Sequence, residues 1–251
     1  MPLAFVVVCE AQADFQAASA LADRVLCEQV DWIEASILDD YRSYCGARPE
    51  ASHVTWAESA QLANVLGRKV RGHFDGKPGD LDALAGRRAI LVVLSKCPED
   101  KSIFLIRDSD GLTARLEGLT QARSEMGEHG DLVIVVGVAH CKREAWILAG
   151  FEPLEDGEQG RIAALRQELG FNPCERAHEL DAKHDHDKRS AKRALFVLVG
   201  NNAERQLDCT TKTPLDLLRH RGQENGLASY LREVNDRVVP LFALRPPSAS
   251  G

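Results

Sequence analysis

Two short apolar runs in this chain stop at carboxylates. The first, Phe5-Val6-Val7-Val8-Cys9, is followed at once by Glu10 and, four residues further on, by Asp14. The second, Ser102-Ile103-Phe104-Leu105-Ile106, leads through Arg107 into Asp108-Ser109-Asp110-Gly111. Runs of this kind read as buried β-strands, and in open α/β sheets the carboxyl ends of the strands are where ligands bind. Carboxylates brought together repel one another and raise each other's pKa unless a cation neutralises them. A hard divalent ion, Mg²⁺ or Mn²⁺, is the simplest reason to gather them. A third apolar run, residues 131–139 (DLVIVVGVA), repeats the pattern, with Glu144 five residues after it.

Each acid has a plainer explanation to weigh. Asp14 sits where a helix N-cap is expected, and an Asp-x-Asp pair after a strand also caps helices. Glu144 suits a helix first turn, where the dipole favours an acid. Glu10 is harder to dismiss, because a charge directly after four apolar residues needs a partner or a task. Three successive strands each ending in an acid are less easily coincidental than any one of them. His178, His184 and His186 alternate with Asp181, Asp185 and Asp187, but lack a known metal-ligand spacing and read better as a solvated loop. Lys183, Lys188, Arg189, Lys192 and Arg193 form a basic stretch. It reads as a solvated face or, beside a metal, as charge that stabilises a phosphoryl transition state. No Walker A loop, GxSxG elbow or GxGxxG occurs, so nothing in the chain supports ATP hydrolysis, serine hydrolysis or dinucleotide binding.

The elements that must position these residues follow from periodicity. Residues 14–29 carry Phe15, Ala18, Leu21, Ala22 and Val25 at helical spacing. Residues 31–56 give no clear pattern. A short helix over 58–66 is ended by Gly67, and residues 71–79, with three glycines and a proline, read as a loop. The run Ile90–Leu94 fits strand or helix by composition. If the Asp108 strand lies parallel to the first, a helical crossover must join them, so 80–95 is predicted helical. Helices are expected at 112–125, 142–151, 161–169, Ala191–Val199, 214–219 and 227–241, and 246–251 reads as a frayed tail.

The chain has 251 residues, 44% of them hydrophobic, enough for a sizeable core. The organisation expected is an α/β domain over 1–155 with a helical section over 156–245 packed on it as one compact unit. No apolar run approaches the roughly 20 residues needed to span a bilayer. No leader is expected, and the cytosol is the expected compartment. Seven cysteines without a CxxC argue against a disulfide framework and a zinc ribbon. A net charge of −7 does not suit a nonspecific nucleic-acid coat. It leaves room for an enzyme whose acids are cancelled by metal and whose basic face holds phosphate.

Several stretches together resemble a known family. RDSDG (107–111), VGVAHCKREAWILAGFEP (136–153), ELGFNP (168–173), SAKRAL (190–195) and PLDLLRHRG…GLASYLREV…VVPLF (214–242) are similar to a TOPRIM-like bacterial family of uncharacterised proteins. That family is related to the overcoming-lysogenization-defect nucleases, and several members are linked to phage defence. The resemblance implies a TOPRIM-like parallel-rich sheet flanked by helices, and a two-metal nuclease cleaving DNA or RNA. Its metals would be held by Glu10, Asp14, Asp108, Asp110 and Glu144. Glu10 and Lys192 would be catalytic, and Lys188, Arg189 and Arg193 would contact nucleic acid. Ala11 stands where topoisomerases and primases usually carry glycine. The resemblance also implies a partner ATPase encoded nearby. Two other functions fit the same residues: a non-catalytic regulatory or interaction subunit, and a metal-dependent nucleotide phosphohydrolase.

Overall fold

Leu3–Cys9, buried at every position, forms the strand β1. An unbroken apolar run is what a strand covered on both faces requires. β1 is paired in parallel along both edges. Ala4–Val8 meet β4 (Lys101–Asp108) on one side, in the register Val8 to Leu105. On the other side, its first half meets β2 (Arg42–Tyr44) and its end meets β3 (Val54–Thr55). β5 (Val133–Ala139) continues the sheet beyond β4, giving the order β2-β1-β4-β5. The computed structural model describes residues 2–67, 80–97, 101–126 and 132–243. The loop read at 71–79 and the tail at 246–251 lie outside those residues.

The fold is α/β, as the sequence implied. α1 (Gln12–Gln29) buries Phe15, Ala18, Leu21, Ala22 and Val25, the positions its spacing marked. α3 (Trp56–Val65) begins where Thr55 Oγ1 accepts the Glu58 N–H at 3.0 Å, and Gly67 follows its end with a left-handed φ of 62°. α4 (Asp80–Lys96) is the helix before β4, so the Ile90–Leu94 run is helical, with Ile90, Val92 and Val93 fully buried. α5 (Ala114–Met126) packs on α4, where Arg87 pairs with Glu125 at 3.4 Å.

Some expectations are corrected. The first helix starts at Gln12, so Asp14 is its third residue rather than its N-cap, and it reaches back to accept the Ala11 N–H at 2.8 Å. The segment without a clear pattern holds α2 (Leu38–Tyr41) as well as the short strands β2 and β3. Strands this short carry too few residues to show a period. The helix expected over 142–151 is only α6 (Glu144–Ala149). The helix expected over 227–241 is divided into α11 (Leu227–Arg237) and α12 (Val239–Ala243). Pro240 lacks the N–H that a continuous helix would need there.

The chain forms two compact units. Unit 1 comprises 1–107, 113–137 and 232–251, and unit 2 comprises 108–112 and 138–231. The chain passes between them after residues 107, 112, 137 and 231. In unit 1, Phe5 packs against Phe104 and Phe242 with centroids 5.2 and 6.2 Å apart. Unit 2 contains α7 (Asp156–Leu169), the 3₁₀ turn Ala177–Glu179, α8 (Ala191–Val199), α9 (Ala203–Thr211) and α10 (Leu215–Arg221). Its core joins Ile147, Leu148 and Phe151 to Leu165, Leu195 and Leu198. Trp146 stacks on Tyr230 at 5.1 Å and donates its indole N–H to the Asn225 carbonyl.

Glu158, 5% exposed, is the buried charge of unit 2. Arg205 Nε and Nη2 reach its two carboxylate oxygens at 2.8 and 2.9 Å, and the Leu154 N–H adds a third bond at 2.8 Å. The Arg205 pairing lowers the Glu158 pKa despite burial. A depressed pKa stabilises the fold above the unfolded value of about 4.3 and is lost as pH falls through the folded one. Glu158→Gln leaves Arg205 buried without its counter-charge and is expected to cost about 3 kcal/mol at neutral pH. Urea denaturation should show that gap to wild type narrowing as pH falls below the ordinary glutamate range.

Candidate functional site

The Asp-x-Asp turn belongs to unit 2 and is fixed by backbone bonds to the chain leaving β5. Asp108 is the last residue of β4. The Ser109 N–H donates to the Ala139 carbonyl at 2.8 Å, and the Asp110 N–H to that of Cys141 at 2.9 Å. The ladder therefore continues past the strand ends. Asp110 (φ 46°) and Gly111 (φ 76°) are both left-handed, a conformation that Asp tolerates better than most residues and Gly adopts freely. Asp108 Oδ1 accepts the Arg143 N–H at 2.7 Å, and the Ser109 hydroxyl lies 3.3 Å from His140 Nδ1.

Glu144 opens α6 and pairs with Arg143 at 3.3 Å, its side chain 13% exposed. Asp110 lines a cavity of about 300 Å³ with Leu112, Cys141, Lys142, Asp181 and Lys183. The Cys141 thiol is pushed up by burial first and then by Asp181 and Asp110, with Asp108 also contributing. That ranking marks Asp181 as a further acid in the same electrostatic neighbourhood.

Glu10 and Asp14 belong to unit 1. Glu10 follows β1 directly, and its nearest ion-pair contact to Arg107 is 4.0 Å. Arg107 also reaches Asp82 at 3.0 Å and lies over the Trp56 ring. Asp14 is engaged by the α1 N-terminus, as described above. Burial, reinforced by Asp14, pushes the neighbouring Cys9 thiol up to about 12.

Lys192, on the first turn of α8, binds Asp185 at 2.6 Å, and the other oxygen of Asp185 binds Lys142 at 2.8 Å. The loop presenting Asp185 is closed by an antiparallel bridge between Asp181 and Ser190. Ser190 then caps α8 by accepting the Arg193 N–H at 3.2 Å. His184 and His186 stack on each other within the same loop. The remaining basic residues are held by near neighbours. Arg193 pairs with Glu168 at 3.0 Å, Arg189 lies over the Phe171 ring and Lys188 is exposed. A second cavity, of about 360 Å³, has Arg143, Lys192, Arg193 and Gln206 on its polar side and the exposed ring of Phe196 among its apolar residues.

Unit 2 thus brings Asp108, Asp110 and Glu144 near the start of α6 through Arg143 and the Asp-x-Asp turn, and tethers Lys192 to Lys142. Asp108 and Asp110 offer the hard oxygen donors that suit a divalent cation. No group of three or more His, Cys, Asp or Glu side chains is gathered for a metal ion among the described residues. Lys142, Asp185 and Asp181 were not singled out from sequence as site residues. Lys142 and Asp185 meet across 43 positions, so no local pattern joins them. No known protein-family model matches the chain, and no solved structure matches it significantly. Among the described residues, no helix is long and apolar enough to cross a membrane.

The two ammonium groups hold the Asp185 carboxyl down to about 2. Carboxyl-detected NMR should find its midpoint near that value in wild type. Lys142→Ala and Lys192→Ala should each move it up towards the ordinary Asp range, about 3.9.

Proposed function

We propose that this protein is a divalent-metal-dependent nuclease that cleaves nucleic-acid phosphodiesters. The observation that carries the reading is the order of acids along the sheet. β1, β4 and β5 are successive neighbours, Glu10 and Glu144 follow β1 and β5, and Asp108 closes β4. Ligands bind at that end of an open α/β sheet. The resemblance to TOPRIM nucleases supports the same assignment. On that reading Glu10, Asp14, Asp108, Asp110 and Glu144 would be the residues that hold two Mg²⁺ or Mn²⁺ ions. The ions supply water activation and charge neutralisation.

The chain's own residues contribute positioning and charge. Lys192, oriented by Asp185, offsets charge developing on the phosphate. Lys188, Arg189 and Arg193 follow the nucleic-acid backbone, and each such contact carries a salt dependence. Action in phage defence and beside a partner ATPase completes the proposal and rests on the resemblance alone, with the cytoplasm as the compartment proposed.

The partners these acids already have favour a second reading. Asp108 is bonded to the Arg143 N–H, Glu144 to the Arg143 side chain, and Glu10 lies beside Arg107. Acids satisfied in this way suit a regulatory or interaction subunit that does no chemistry.

Activity on supercoiled plasmid and on RNA separates the two. The nuclease reading expects cleavage with Mn²⁺ or Mg²⁺, and its loss in chelator. Asp108→Asn and Asp110→Asn keep the turn but remove charge. Each should lower turnover by roughly 100-fold or more, since even residues that only support a metal ligand are worth about 10–100-fold. Lys192→Ala should lower turnover with metal affinity nearly unchanged, as expected of an interaction made mainly in the transition state. Wild-type protein inert on both substrates, even with its genomic neighbour added, would establish the interaction-subunit reading instead.

A further inference from the structure

Cys45 and Cys97 come from distant parts of unit 1 and meet at the end of β2. Cys45 follows that strand directly and is anchored by its N–H to the Phe5 carbonyl at 3.0 Å. Cys97 follows α4, and its Sγ donates to the carbonyl of Gly46, the residue after Cys45, at 3.5 Å, which brings the two thiols into one electrostatic neighbourhood. Both are partly exposed, whereas Cys9, Cys141, Cys174 and Cys209 are buried. The surrounding backbone is tightly held. The Gly46 N–H bonds the Ala51 carbonyl at 2.6 Å, and a β-carbon on Gly46 would collide with the His53 carbonyl. Lys101 Nζ binds the Cys97 carbonyl at 3.0 Å, which places a positive charge beside the pair.

We propose that Cys45 and Cys97 are an oxidation site that closes to a reversible disulfide when the protein meets a peroxide. The Cys97 sulfur reaches the residue next to Cys45, both segments are anchored and both thiols are partly exposed, which favours the short approach a disulfide demands. The electrostatics assign the roles. Cys45 is lowered, chiefly by its pairing with Cys97 and, against the opposing effect of burial, by the nearby Lys101 charge, while Cys97 is raised. The thiolate is the nucleophile, and a thiol of lowered pKa beside a cation is the one that reacts. The Cys45 thiolate attacks one peroxide oxygen, the O–O bond breaks, and the departing hydroxide takes a proton to leave as water. Cys45 is then a sulfenic acid. Cys97 sulfur attacks the Cys45 sulfur, the S–O bond breaks, and the hydroxide released takes the Cys97 proton. Two thiols lose two electrons to one peroxide, giving one disulfide and two waters.

The test uses the reduced, full-length, folded protein treated with about one equivalent of hydrogen peroxide, alkylated and mapped without reductant. The expected product is a single cross-linked peptide pair joining Cys45 to Cys97, lighter by two hydrogens and reopened by dithiothreitol. In Cys97→Ser, Cys45 should accumulate as a sulfenic acid captured by dimedone. In Cys45→Ser, no cross-link should form and Cys97 should remain a thiol. Circular dichroism confirms that both variants fold, and the wild-type map decides the matter should either fail to. Free Cys45 and Cys97 after treatment, or either one cross-linked to another cysteine, would overturn the proposal.

Discussion

Two neighbouring strands run out of the sheet side by side, and their backbones stay bonded after the strands have ended. The Ser109 and Asp110 N–H groups donate to the Ala139 and Cys141 carbonyls, and the Asp108 carboxylate takes up the Arg143 N–H. Buried backbone donors must find acceptors, so these bonds leave the Asp-Ser-Asp-Gly turn little freedom. The unit 2 part of the candidate site is built around this junction. The turn directs Asp110 to the surface, α6 begins at Glu144, and Lys142 stands between them. Asp110 and Gly111 both adopt left-handed φ values, which explains why a short polar residue and a glycine occupy these adjacent positions.

Charge in unit 2 is distributed by exposure. Glu158 and Arg205, 6% and 12% exposed at their side chains, form a bidentate pair with the geometry a buried ion pair requires. Its role is structural: it links α7 to α9 while Arg205 also lies over Phe151. The Lys142–Asp185–Lys192 bridge is solvent-exposed, so it contributes little stability. What it does instead is hold two cations around one anion, leaving one net positive charge.

The cysteines divide in the same way. Burial raises the thiols of Cys9, Cys174 and Cys209 to about 12, which makes them inert packing groups. Cys45 and Cys97, beside the edge of the sheet and at a helix end, keep partial access to solvent, as does Cys27. What separates the pair from Cys27 is that they lie near each other.

Long, strongly patterned elements were legible in the sequence. β1, β4, β5 and α1 carry enough apolar residues at a fixed period for one face or both to be marked for burial, and their identity depends on nothing distant. The crossover argument placed 80–95 as helix because a parallel pair cannot be joined otherwise. The acids at the strand ends were legible for the same reason, since a charge after an apolar run stands out locally. Tertiary structure decided what lies between and what meets across the chain. β2 and β3 exist because β1 offers them an edge, and α9 has to bury only Cys209 and Thr210. Asp14 is the third residue of α1 because the helix begins two residues before it. The bonding of Asp185 to Lys142, and of Cys97 to the residue after Cys45, joins residues whose sequence separation exceeds any helical or strand period. Periodicity reports a residue's own element; partners of this kind are set by the packing of several elements at once.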